Sequence, residues 1–279
     1  MKRIILLFIS AFLLAGMSTV LCQPPGIYEK GIENKQAVPY PHLREADVMW
    51  SKEIVRLVDL REKMNHSLYY PTVAMGNRKN LMGVILEAIN SGEVTSIYNV
   101  NLNDDEMTIP ITVFEIDDKL GGRVDTFTVV DPVTGAEEQN IVETEANLGE
   151  VKQYFIKEEW FFDKKHSSMQ VRIIGIAPVR IYQHPETGLP YRSATFWVYF
   201  PELRDALARS EVFNANNDAN RISFDDIFLQ RRFGSTILSQ SNVYDNRRIN
   251  AYETGRMALL EAEKVKEWLM TIEHDMWEY

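Results

Sequence analysis

Residues 154–181 read YFIKEEWFFDKKHSSMQVRIIGIAPVRI, and how this stretch is parsed decides the fold. Tyr154 to Phe162 and Gln170 to Ile181 are rich in aromatic and β-branched residues, the composition of strands. Between them DKKHSS carries polar turn formers. Two strands this long on so short a connector can only lie antiparallel, because a parallel pair needs a crossover of a dozen residues or more. In VRIIGIAPVRI the alternation of apolar and polar residues is partial and the apolar content high, so much of this strand is expected to be buried.

Working outward, Ala194 to Phe200 makes a third strand, joined to the second by the turn-rich QHPETGLPYR, and the three form a meander. Upstream, Met107 to Ile116 (MTIPITVFEI) and Arg123 to Val130 (RVDTFTVV) also have strand composition, with the turn-like DDKLGG between them. Pro110 suits the first of these to a sheet edge. Asp131 to Glu150 is acidic and poor in apolar residues, and reads as a mobile loop.

Helices flank this central region. In Leu43 to Met64, Trp50, Ile54, Leu57 and Val58 follow i, i+4, i+7, i+8, which reads as a core-facing helical stripe. A second helix is expected over Arg78–Asn90, with Leu81, Ile85 and Ile89 inward and Gly92 as its stop. After the sheet, Pro201 and Glu202 open a helix to about Phe213, Pro fitting the first helical position and Glu the positive helix end. Ser223 and Asp226 resemble a capping arrangement for a helix to about Phe233. The last helix spans Tyr252 to Trp277, with Met257, Leu260, Val265, Trp268, Leu269, Ile272 and Met276 as its apolar stripe and Glu261–Lys264 and Glu263–Lys266 as pairs on the wet side. The class is α+β: an antiparallel sheet of three to five strands flanked by N-terminal and C-terminal helices.

The chain starts MKRIILLFISAFLLAGMSTVLCQPPG. Basic residues, then an apolar run from Ile4 to Leu14, then smaller side chains follow in the order of a secretory signal. The apolar run is shorter than the roughly 20 residues a bilayer requires. Cleavage between Cys22 and Gln23 gives a leader (1–22), an extended Pro- and Gly-rich arm (23–41) and one α+β domain (42–279). Cys22 also raises a lipoprotein route, although Leu21 before it is bulky for that site. It is the single cysteine, so a chain cut there owes nothing to disulfides. The net charge is −10 before Lys2 and Arg3 are lost. So acidic a chain is a poor candidate for nucleic acid, whose phosphates are neutralised by Lys and Arg. Hydrophobic residues at 45% and aromatics at 11% place it among globular proteins rather than disordered ones.

Catalytic patterns are few. No G-x-S-x-G, P-loop, dinucleotide-binding or H-E-x-x-H motif occurs, and His42, His66, His166, His184 and His274 lack metal-ligand spacing. Asn214, Asn216, Asp218 and Asn220 alternate as calcium ligands do, with Asp225 and Asp226 beyond. Yet Ala219 occupies the place of the loop glycine and Asp225 that of the closing glutamate. Asp163 with His166, and Glu273, His274 and Asp275, are carboxylate–histidine neighbourhoods without a nucleophile nearby. The expected state is no enzyme, no cofactor and no metal, with a calcium- or ligand-binding module as the alternative.

Aromatic residues are more informative. Trp160, Phe161 and Phe162 put rings on both faces of one strand, so each face must meet something. Aromatics beside arginine are typical interface anchors. Trp160, Phe162, Arg231, Arg232, Phe233 and Trp277 are therefore the candidate interface residues.

Several blocks then resemble a known family: LREADVMWSKEIVRLVDLREKMN (43–65), EEWFFDKKHSSMQVRIIGIAPV (158–179), FWVYFPELRDALARSEVFNANND (196–218), FDDIFLQRRFGSTI (224–237) and EHDMWE (273–278). In order and together they look like the gliding-motility family GldN, also called PorN. The resemblance implies a periplasmic structural component of the type IX secretion system. It further implies self-association in a ring with a GldK/PorK-type outer-membrane lipoprotein, which would hold the chain at the outer membrane, and a GldL/GldM-type motor complex as a further partner. It supplies no catalytic residues.

Overall fold

A computed structural model describes residues 34–75, 78–100, 106–130, 137–144, 146–184, 187–214, 217 and 219–277, together with Ile32. The proposed leader and its cleavage at Cys22–Gln23 lie outside them. The hairpin read from the sequence is the centre of a sheet. Strand β5 (Val151–Asp163) pairs antiparallel with β6 (Ser168–Gln183) along its whole length, from Val151 opposite Arg180 to Asp163 opposite Ser168. On the far side of β5 lies β1 (Val48–Asp59), and beyond it β11 (Thr236–Gln240). On the far side of β6 lie β8 (Phe196–Tyr199) and β2 (Ile97–Asn99), while β7 (Pro190–Ala194) also pairs with β6. The result is an open antiparallel sheet of seven strands, larger than the three to five expected, with β9 (Glu211–Val212) and β10 (Ile222–Ser223) pairing apart from it.

The enlargement comes first from β1, which the sequence pattern read as a helix. Trp50, Ile54 and Val58 are spaced by four, and a spacing of four satisfies both the helical period and the strand period of two. The tie is broken by tertiary context: β1 lies between β5 and β11 and buries both faces at Ile54 and Val55. Central strands are apolar on both sides and lose the alternation that identifies edge strands. A second correction concerns 107–116. Only Pro110 makes a β-bridge, to Tyr98, and Val113–Lys119 is helical, burying Ile116 and, one turn on, Leu120. The third concerns the acidic segment after Asp131. Glu137–Thr144 (β4) is a strand, paired residue for residue with β3 (Arg123–Val130). Acidic composition reports a lack of burial, whereas a two-stranded ladder is held by backbone groups that every residue carries.

Two of the helices start at side-chain caps. Numbered in chain order, the α-helices are α1 (His66–Tyr69), α2 (Leu81–Asn90), α3 (Val113–Lys119), α4 (Phe200–Arg209), α5 (Phe224–Leu229) and α6 (Arg256–Trp277). Asn80 caps α2 by accepting the Gly83 N–H at 2.7 Å. Ser223 and Asp226 form a reciprocal capping box at the start of α5. Helix α4 ends at Arg209 and α5 at Leu229, each four residues earlier than expected.

Alternation along β5 divides the core. Ile156 on one face joins Ile176 and Val198 of the sheet to Leu81 and Ile85 of α2, Leu203 and Leu207 of α4, and Phe224 and Phe228 of α5. Trp160, further along the same face, packs with Ile54 and Ile237 against Ala258, Ala262, Val265 and Leu269 of α6. Phe155 on the opposite face joins Val179, Trp197 and Leu238. Each large side chain sealed in these layers contributes about 1.5–3 kcal/mol. No helix among the described residues is long and apolar enough to cross a membrane.

Gly175 in β6 shows how tightly the second face is packed. A Cβ there would lie 2.8 Å from the Met107 sulfur and 3.1 Å from a ring carbon of the fully buried Trp197. The Gly175→Val variant is therefore expected to lose about 1–3 kcal/mol of stability, read as a lower urea midpoint, with the far-UV spectrum retained.

Candidate interaction surface

Among the candidate interface residues, Trp160, Arg231 and Phe233 converge, and a residue the sequence reading passed over organises them. Glu158 is completely buried on the helix-facing side of β5. A lone carboxylate there would carry a large desolvation cost, so donors surround it. From the adjacent β1, Arg56 donates its Nε to Glu158 Oε2 at 2.8 Å. Arg231 donates Nη2 to both oxygens, at 2.9 and 3.1 Å. Trp160 donates its indole N–H at 3.0 Å. Both guanidinium groups also lie over the Trp160 ring, 5.6 and 5.3 Å from its centroid. Burial pushes the Arg56 pKa below its ordinary value; Glu158 opposes that shift and Arg231 reinforces it.

The loop after α5 delivers Arg231. Its φ of +52° lets the N–H of Arg231 reach Phe228 O and that of Arg232 reach Ile227 O, closing the helix. Phe233 then folds inward against Phe228, with ring centroids 5.7 Å apart. Gly234 is clamped from both sides by the Asn65 side chain, which accepts its N–H and donates to its carbonyl, each at 2.9 Å. A Cβ at Gly234 would meet the Glu62 carboxylate, so a larger residue there would have to push the Glu62 side chain aside. The outcome is a groove of about 460 Å³, walled by Trp160, Arg231 and Phe233 on one side and Lys266, Met270 and Glu273 of α6 on the other.

The other candidates fall elsewhere. Phe162 is buried beside a separate groove of about 530 Å³ that it shares with Met49, Ile272 and Met276. Arg232 is exposed and stands apart from the Glu158 cluster. Trp277 ends α6, and its side chain lies outside the described residues. Glu158 and Arg56 were missed although a signal existed: a glutamate inside an apolar strand needs a buried cation. Arg56 went unseen because the helical reading of β1 put it on a wet face.

A second buried pair holds the N-terminal arm. Arg204 of α4 meets Asp225 of α5 at 3.0 and 3.2 Å, both nearly inaccessible to solvent. Tyr40 stacks on Arg204 at 4.1 Å and on Arg172 at 5.2 Å, and Arg172 donates to the Pro41 carbonyl at 2.6 Å. Burial raises the Tyr40 pKa. Lys35 reaches Asp226 at 2.5 Å. Asp225 and Asp226, proposed above as outer members of a calcium loop, are thus occupied by ion pairs and a helix cap; Ala215, Asn216 and Asp218 lie outside the described residues. Asp163 accepts from the Lys165 N–H at 2.8 Å and contacts His166 Nδ1 at 2.5 Å, with the His166 contact the main influence holding its carboxyl below the ordinary range. Both contacts close the β5–β6 turn.

Removing the central charge tests the cluster. Glu158→Gln leaves two guanidinium groups around a neutral amide and is expected to cost about 3–5 kcal/mol in urea unfolding. Pairing Glu158→Leu with Arg56→Met is expected to recover part of that loss, since an apolar pair needs no compensating charge.

No curated protein matches the chain. Residues 43–278, which contain the seven-stranded sheet, the Glu158 cluster and all of α6, match the model of the family described as gliding motility associated protein GldN. Since that match extends over most of the 279 residues, the chain belongs to the GldN family of gliding motility associated proteins.

Proposed function

We propose that the chain is a structural subunit of the type IX secretion and gliding machinery, working in the periplasm by binding other proteins. It assembles with copies of itself and with a GldK/PorK-type lipoprotein into a ring beneath the outer membrane, where a GldL/GldM-type motor complex meets it. The observation that carries this reading is the family match over residues 43–278. The local chemistry supports it. Asp163 and His166 close a turn, and Asp225 and Asp226 hold Arg204, Lys35 and a helix cap, so each has a structural task. Large apolar groups in water at Phe114, Val243 and Met270 suit a component that other chains cover.

The test is genetic and biochemical together. In a strain lacking the lipoprotein, the chain is expected to leave the outer-membrane fraction, and secretion of a reporter cargo is expected to fail in a strain lacking this chain. Unchanged fractionation with unimpaired secretion overturns the proposal.

A further inference from the structure

Helix α6 buries small side chains and leaves large ones in water. Its inward stripe is Ala258, Ala262, Val265 and Leu269, whereas Met257, Leu259, Leu260, Trp268 and Met270 are between 42% and 64% exposed. Of the expected stripe, Val265 and Leu269 are buried and Ile272 and Met276 partly so, whereas Met257, Leu260 and Trp268 are exposed. Leu259 and Met270 lie eleven residues apart, about three turns, and so share one flank of the helix. That flank borders the groove between Met270 and Phe233.

The charges around the groove are unevenly committed. Arg56 and Arg231 are both held by buried Glu158, and Lys266 pairs with Glu263 at 3.5 Å. Glu62 and Glu273 also line the groove, and among the described residues neither has a cation within ion-pair distance. Glu62 accepts only a long hydrogen bond from Asn65, at 3.5 Å, and with Glu158 and Glu263 counted, four carboxylates around the groove stand against the three cations Arg56, Arg231 and Lys266. Glu267 and Asp275 add further negative charge along the same half of α6.

We infer that this flank of α6 docks a basic, apolar segment of a different protein. The groove takes an aliphatic or aromatic side chain between Met270 and Phe233, and a lysine or arginine next to it meets Glu62 and Glu273. Charge selects this occupant. A copy docking through the same face brings like carboxylates together, and a chain with 40 acidic residues against 30 basic ones is a poor source of a basic segment. An anionic lipid surface is repelled in the same way. The inference rests on the reading above only in taking the chain to work among other proteins.

The test places a benzoylphenylalanine photo-crosslinker at Met270 of the full chain in its native envelope, with Phe114, 82% exposed, as the control position. The expected result is an adduct at 270 with another protein whose cross-linked peptide is net positive and holds an apolar residue. Glu62→Gln combined with Glu273→Lys is expected to weaken that adduct about fivefold, as is raising salt from about 0.1 M to about 0.5 M. The urea midpoint of the double variant verifies that it folds. An adduct with a second copy, with lipid or with an acidic peptide overturns the inference, as does no adduct or one indifferent to the charge change. Recovery of the lipoprotein with the chain is scored on the same sample, so loss of the whole complex counts against the proposed function and a wrong adduct within an intact complex counts against this surface.

Discussion

A single buried carboxylate, Glu158, joins three parts of this chain that are far apart in sequence. It sits in β5, takes one donor from β1 more than a hundred residues earlier, and takes another from the loop after α5 more than seventy residues later. The hydrophobic layers around it are non-directional and tolerate small slips, but an ion cluster in a low dielectric does not. Glu158 therefore sets where Arg231, Trp160 and Phe233 stand, and through them the shape of the groove along α6. Whether such a cluster stabilises more than an apolar replacement would is a separate matter, since the desolvation of three charges offsets much of their attraction. Its contribution here is position.

The same logic recurs at Arg204–Asp225. A second buried ion pair links α4 to α5, and its guanidinium offers a flat face on which Tyr40 of the arm rests. Among the described residues of the arm, 34–41, few backbone hydrogen bonds reach the body, and side-chain contacts of this kind, with Lys35 and Arg172, hold that stretch. The arm up to His42 lies outside the family-matched stretch, while the residues that receive it, Arg172, Arg204 and Asp226, lie inside.

Both pairs act in the same way. They link the elements around the helix-covered sheet face, while α6 is attached through Ala258, Ala262, Val265 and Leu269 with Met257, Leu260 and Met270 outward. Directional buried ion clusters resist slippage better than apolar contacts alone.

Much of this was legible in residues 154–181 and their surroundings. Two long apolar stretches on a short polar connector dictate a hairpin, and a Ser–x–x–Asp pattern dictates a helix start. These are local rules, satisfied or broken by neighbours in the chain. The family blocks were legible for a related reason, because ordered matches along the chain need no coordinates. What only the tertiary structure decided were the choices that depend on distant partners. Trp50, Ile54 and Val58 fit helix and strand equally until β5 and β11 arrive beside them. Glu158 and Arg56 look like ordinary charged residues until pairing of β1 with β5 buries them together. On α6, Val265 and Leu269 were legible as inward, but the packing against Ile54 and Ile237 takes Ala258 and Ala262 beside them and leaves Met257, Leu260 and Trp268 exposed.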